Sequence, residues 1–203
     1  MLYELTTLSS HILKLPRVIG NAETYLHHPE TAGRWLGGWI SENGRLGSVR
    51  VLRGFEDAEE LAHERRRELR HPDPFGAATS ECGIEMESYA GFPFLPAVEP
   101  GAFGTYYEFR TYWLRPGGLM PTIEAWEAAM PERSKRSPLT VNMYALDGAP
   151  RITHIWPWKS LDERIAIRAR SYADGIWPPK GGPEQFFEAT STIWIPTGNS
   201  PLR

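Results

Sequence analysis

Tyr107-Glu108-Phe109-Arg110-Thr111 stands 104 positions after Tyr3-Glu4-Leu5-Thr6-Thr7, with the Tyr, the Glu and the last Thr unchanged and an apolar residue kept at the third place. Further along the shift becomes 103: Leu52 falls opposite Ile155, Phe55 opposite Trp158, Asp57 opposite Ser160 and Glu60 opposite Glu163. Arg65 and Arg67 fall opposite Arg168 and Arg170, and near the ends Ile84-Glu85 and Ser88 face Phe187-Glu188 and Ser191. A common order and a nearly constant offset over separated blocks mark an internal duplication.

Each copy reads strand, helix, strand, strand, helix, strand. In the second copy Tyr106 to Leu114 is aromatic and β-favouring, until Arg115-Pro116-Gly117-Gly118 breaks the chain. Leu119, Ile123, Trp126 and Met130 follow at near-helical spacing, with Glu124 and Glu127 on another face, and Ser137-Pro138 ends this amphipathic helix. Leu139 to Leu146 and Arg151 to Trp158 read as a hairpin around Asp147-Gly148-Ala149-Pro150. Ser160-Leu161-Asp162-Glu163 has the S-x-x-E form of a helix start, and Asp57-Ala58-Glu59-Glu60 occupies the same place in the first copy. The last strand spans Phe187 to Ile195. The first copy is less regular: Pro16 interrupts its candidate helix, Ile12 to His27, and its hairpin turn is Glu42-Asn43-Gly44. This order predicts an α+β fold of two tandem ferredoxin-like domains, residues 1–98 and 99–203, each an antiparallel sheet with both helices on one face. The bare sheet faces then cover each other, with Phe94 to Phe103 as the linker.

Composition agrees with a packed fold. The 203 residues are 41% hydrophobic and include eight Trp, eight Tyr and eight Phe, enough for a core and too many for a disordered chain. No apolar run approaches the roughly 20 residues that span a bilayer, so no membrane partner is expected. The start, MLYELTTL, lacks the basic and apolar segments of a secretory signal. The one cysteine, Cys82, has no CxxC partner and is read as an inert thiol, which suits a reducing, cytoplasmic setting. A net charge of −3 gives no electrostatic footprint for nucleic acid.

Tyr107-Glu108-Phe109-Arg110-Thr111-Tyr112, then Arg115-Pro116-Gly117, Trp126 and the run His154-Ile155-Trp156-Pro157-Trp158-Lys159-Ser160-Leu161-Asp162-Glu163-Arg164 resemble the NIPSNAP family, within the dimeric α+β barrel superfamily. The first half resembles it more weakly: Thr6 stands in the place of Arg110, and Val51-Leu52-Arg53-Gly54-Phe55 replaces the His-Ile-Trp-Pro-Trp run. The resemblance implies a ferredoxin-like pair closing into a barrel, with pairing of two copies as a further expectation. It implies no settled reaction; the wider superfamily includes cofactor-independent monooxygenases, isomerases, decarboxylases and haem proteins.

Strand alternation puts Glu108, Arg110 and Tyr112 on one face and Tyr107, Phe109 and Trp113 on the other. Assigning the second set to the helices turns the polar trio towards the space between the sheets. By the same parity His154, Trp156 and Trp158 share a face. The expected site is an apolar, aromatic cleft in which Arg110 holds an anionic group and His154 moves a proton. Glu108, Tyr112, Trp156 and Trp158 bind a flat ligand there, and Trp177, in the insertion Ile176 to Pro183, serves as a lid over the barrel mouth. The structural alternative is an Arg110–Glu108 ion pair and a His154 hydrogen-bonded within the core. No metal is expected and no cofactor, the alternative being haem iron on the His154 imidazole. Arg164, Arg168 and Arg170, echoed by Arg65, Arg66 and Arg67, read as partners of Glu163 or Glu64 one turn away rather than as phosphate ligands. Two functional classes follow: a protein acting on a small apolar or aromatic molecule by proton transfer or oxygen chemistry, and a non-catalytic scaffold acting through its outer surface.

Overall fold

The computed structural model describes residues 1–138 and 141–203. The first half runs β1 (Leu2–Ser9), α1 (Leu15–Leu26), β2 (Arg34–Ser41), β3 (Ser48–Phe55), α2 (Ala58–Arg70), the single turn α3 (Ala77–Ser80) and β4 (Gly83–Gly91). The second runs β5 (Tyr106–Leu114), α4 (Leu119–Ser134), β6 (Val141–Ala145), β7 (Arg151–Trp158), α5 (Leu161–Ala173) and β8 (Phe186–Pro196). Leu139 and Thr140, with which the first strand of the second hairpin was expected to open, lie outside the described residues.

Both predicted caps form. The Ser160 hydroxyl accepts the Glu163 N–H at 3.0 Å, and the Asp57 carboxylate accepts the N–H groups of Glu59 and Glu60 at 2.9 Å each. Each saturates donors that the first helical turn leaves open. Pro16 does not interrupt its helix, contrary to expectation. A 3-10 turn over Ile12–Lys14 comes first, and Pro16 falls in the opening turn of α1, where its missing N–H is not needed.

Strand order is β4-β1-β3-β2 in one half and β8-β5-β7-β6 in the other. Edge pairs β2–β8 and β4–β6 join them into one closed, antiparallel, eight-stranded barrel. The two sheets therefore meet edge to edge as well as face to face, and closure needs no second copy of the chain. The duplication shows in the register: Leu2 lies opposite Phe55 in the first half, and Tyr106 opposite Trp158 in the second. The third block of the repeat is two residues out of step. Glu85 lies opposite Thr7, but Thr190, not Glu188, lies opposite Thr111. A slide of two keeps every side chain on its own face, so the pattern survives it.

The inward face is apolar at one end. Tyr3, Leu5, Trp39, Leu52, Tyr107, Phe109, Met143, Ile155 and Trp194 form one buried cluster drawn from both halves. The Trp39 ring lies 5.4 Å from that of Tyr107 and 5.2 Å from that of Phe109, across the barrel. Gly37 makes room for it, since a Cβ there would fall 2.1 Å from the indole. The linker and the C-terminus plug this end: Val98 and Leu202 join the cluster, and Gly101 bridges Leu202. The helices cover the outer face. Val18, Ala22 and Tyr25 of α1 pack on Leu8, Val49 and Val51.

Under α2 the contact is ionic instead. Arg53 of β3 is buried and bonds to Glu4 of β1 and to Glu64 and Glu68 of α2, with Arg65 and Arg67 completing the group. Burial among like charges pushes the Glu68 carboxyl up to about 8, against the pull of Arg53. A carboxyl raised in the folded state favours folding while protonated, so its contribution is complete below the unfolded value of about 4.3 and is lost as pH rises towards 8. Denaturant unfolding between pH 5 and 9, estimated as the window that brackets this titration, is expected to show wild-type stability declining with pH. Glu68→Gln, which keeps the neutral form, should flatten that decline; an unchanged slope would mean that Glu68 is ionised throughout.

Candidate functional site

The strand alternation read from the sequence holds, but the sides are reversed. Tyr107 and Phe109 point into the barrel, while Glu108, Arg110, Tyr112, His154, Trp156 and Trp158 lie on the outer face beneath α4 and α5. The barrel interior is narrow and its plugged end is filled by large rings, so the ligand cleft expected between the sheets is occupied there by core. The polar and aromatic set gains a different cover, two helices.

Glu108 is the centre of the ionic part. Its carboxylate accepts from Arg164 Nη2 at 2.7 Å and Nε at 2.9 Å, from Arg110 Nη1 at 2.8 Å and from the Ser191 hydroxyl at 2.6 Å. Arg110 Nε also donates to the Tyr112 hydroxyl at 2.8 Å. Burial alone would raise the carboxyl; the Arg164 hydrogen bonds, the Arg110 charge and Ser191 outweigh it and hold the pKa at about 2. Arg110 thus forms the ion pair with Glu108 that was weighed as the structural alternative. The expected helical pairing of Arg164 with Glu163 gives way to this contact with the strand, and Arg65 likewise reaches Glu4. Arg67 does pair within its helix, with Glu64.

His154 sits among rings, 1% exposed. Its centroid lies 4.9 Å from Tyr112 and 4.7 Å from Trp126 of α4. Nδ1 accepts the Trp156 indole N–H at 2.6 Å, which assigns the ring proton to Nε2; Nε2 has no partner. Burial, reinforced by the Arg110 charge, holds the imidazole well below its ordinary pKa, hence neutral. With its bare nitrogen spent on Trp156, His154 presents a hydrogen-bond donor. Nε2 is buried and the rings close around it, so the haem alternative does not fit this arrangement.

Two further residues missed by the sequence reading, Arg133 and Asn142, complete the set. Arg133 of α4 is 2% exposed, and its guanidinium lies 4.3 Å from the Trp156 ring and 5.7 Å from that of Trp177. One Nη donates to the Ser137 hydroxyl, Nε has no partner, and no carboxylate pairs with it among the described residues. Burial, with the like charges of Arg168 and Arg136, lowers its pKa to about 10. Asn142, opposite His154 on β6, is 2% exposed with both side-chain polar atoms unpaired, and Trp158 Nε1 is unpaired as well. Arg133 looks in sequence like an exposed cation at the end of a helix, and only the packing of α4 reveals otherwise.

Trp177 is placed differently from expectation. It does not cover the barrel mouth; it packs edge-on against Trp126 at 4.7 Å and Trp156 at 5.8 Å, over the outer face. Beside it a cavity of about 300 Å³ lies between α4 and the loop that follows α5, lined by Ala125, Ala129, Glu132, Ile176, Pro178 and Lys180 among others. Cys82 is half-buried and burial raises its thiol, as suits an unreactive cysteine. Among the described residues no cluster of His, Cys, Asp or Glu could hold a metal ion, and no helix is long and apolar enough to cross a membrane.

A depressed carboxyl stabilises the fold above its unfolded pKa and loses that contribution as pH falls through the folded value. Glu108 is therefore expected to supply about 3 kcal/mol at neutral pH, lost between roughly pH 4 and 2. Glu108→Gln should lower unfolding stability at pH 7 by about that amount and much less at pH 2, compared by denaturant titration.

A family model for NIPSNAP matches residues 107–201. The NipSnap homolog of Dictyostelium discoideum is 26% identical over 149 residues, which is 70% of this chain and 65% of that protein. A NIPSNAP family protein of unknown function from Agrobacterium tumefaciens, of solved structure, is 29% identical and aligns over 52% of this chain and all of its own, with a TM-score of 0.44. An anthrone oxidase-like protein shares the fold along the length of both chains, covering 98% of this one and 93% of its own at 14% identity and a TM-score of 0.68. The family-model match falls in the half that carries Glu108, Arg110 and the His154 to Trp158 run, and with the NipSnap homolog it shows that the chain belongs to the NIPSNAP family.

Proposed function

We propose that the space beneath α4 binds a small, planar, aromatic molecule carrying an oxygen that becomes anionic, a phenol or an enol, and promotes its reaction by proton transfer or with dioxygen, without a bound cofactor. The observation that carries this reading is the buried Arg133, whose Nε has no partner and which has no carboxylate paired with it among the described residues, lying with the Nε2–H of His154 among the rings of Trp126, Trp156 and Trp177. A buried cation that feels Glu108 only at a distance is costly, and an anion bound beside it relieves the cost. Two donors in a water-poor site stabilise a phenolate or enolate more than they do in water. The pocket then takes up the anion from solution, so His154 need not act as the base. The bound anion, electron-rich at carbon, is the form that accepts a proton there or gives electrons to dioxygen.

Trp177 fills the place such a ligand would take, and swinging it aside would merge that place with the cavity behind it. The combined space suits a small-molecule site. Similarity to an anthrone oxidase-like protein supports the substrate class through the fold alone.

Titrating 2-naphthol against pH by its absorbance, with and without protein, tests the reading. The bound naphthol should ionise roughly one pH unit lower than the free compound, and Arg133→Met should abolish the shift while the protein stays folded. Trp177→Ala should bind more tightly or faster. Folded protein that leaves the titration unchanged in all three forms would sink the proposal and favour a module acting through its outer surface.

A further inference from the structure

The two ends of the barrel differ. One is plugged, as described; at the other, inward positions become polar, with Thr7 of β1, Arg50 of β3, Glu85, Glu87 and Tyr89 of β4, Thr111 of β5, Arg151 and Thr153 of β7 and Thr190 of β8. Thr190 and Glu85 are exposed, so solvent reaches this mouth. The Thr111 and Thr153 hydroxyls lie 3.0 Å apart, and Thr153 donates to the Tyr89 hydroxyl at 3.3 Å.

Arg50 is the anomaly. Its guanidinium reaches across the lumen to lie 4.4 Å from the Trp194 ring and 4.9 Å from that of Phe109. That clamp fixes its position, yet Nε is buried without a partner and no carboxylate pairs with it among the described residues. The acids whose charge it feels are engaged elsewhere: Glu87 with Arg151 at 2.8 Å and Glu85 with Arg45 at 3.5 Å. The duplication sets Thr153 where the other half would carry its own Arg50, and the second cation of the mouth, Arg151, is held by Glu87 and Asp147, so Arg50 is left facing hydroxyls without a carboxylate of its own among the described residues. A pre-positioned guanidinium lacking acceptors, with neutral donors opposite, is the arrangement that recognises an oxyanion.

We propose that the open mouth of the barrel is a second binding site, distinct from the space beneath α4, for a compact oxyanion such as a carboxylate or a phosphate, with Arg50 as its principal ligand. Aromatic clamping removes the side-chain entropy that an ordinary surface arginine loses on binding. Only a small head group fits, because the rings of Phe109 and Trp194 close the lumen beneath it.

Nitrogen-15 spectra of the intact protein, following arginine Nε–H and tryptophan indole N–H signals, test this. Trp194→Phe identifies the Trp194 indole. Potassium phosphate and, separately, sodium acetate are titrated at constant ionic strength set by chloride. The Arg50 and Trp194 signals should shift saturably with at least one of the two, and the arm that saturates identifies the head group. Arg50→Met should weaken the affinity roughly tenfold or more, read on the Trp194 indole. Arg50→Lys, which keeps the charge, should retain part of it and serves if the Met variant fails to fold. Shifts no larger than those chloride produces, or an unaltered titration in either variant, would overturn the proposal.

Discussion

Closure of the sheet governs the rest of the molecule. Each half offers two open strand edges, β2 and β4 in one and β6 and β8 in the other, and pairing β2 with β8 and β4 with β6 removes all four. Unpaired edges expose backbone donors and acceptors that recruit other chains. Carrying both copies in one chain makes this closure intramolecular, and the linker that connects them also stoppers the barrel, with Val98 and Leu202 buried in the same apolar cluster. The eight-stranded ring is then just wide enough to be filled by side chains.

That width sorts the residues by face. Trp39, Tyr107, Phe109 and Trp194 take the interior, while Glu4, Arg53, Glu108 and Arg110 are sent to the helix side. Glu4 and Glu108, equivalent by the repeat, are both wholly buried there and both saturated by arginines. The partners are not equivalent. Glu4 is held by Arg53 from a neighbouring strand and Arg65 from α2, while Glu108 is held by Arg110 from its own strand and Arg164 from α5. Duplication conserved the buried carboxylate and let its counter-ions drift, because any guanidinium that reaches it satisfies the same electrostatic demand.

The halves diverge in what that demand leaves over. Under α2, acids and bases cluster and the space is closed by ionic contacts. Under α4, Trp156 stands where the first half has Arg53, the cation has moved to Arg133 on the helix, and no acid pairs with it among the described residues. The unpaired donors of Arg133 and His154 are thus specific to the half that carries the family match.

Residue pattern alone determined the duplication, the βαββαβ order, the helix caps at Asp57 and Ser160 and the partition of each strand into two faces, because these depend on contacts a few residues apart or on a period of two. It also singled out Glu108, Arg110, Tyr112, His154 and Trp156 as one group. Tertiary structure alone decided which face was which. Alternation is symmetric, and a strand bearing Tyr, Phe and Trp on one side and Glu, Arg and Tyr on the other suits either environment until its partners are known. The reach of Arg164 to Glu108, the burial of Arg133 without an acid and the arrival of Arg50 between Phe109 and Trp194 were invisible for the same reason. Each joins residues more than about 20 positions apart, and long flexible side chains find their partners only once the ring has closed.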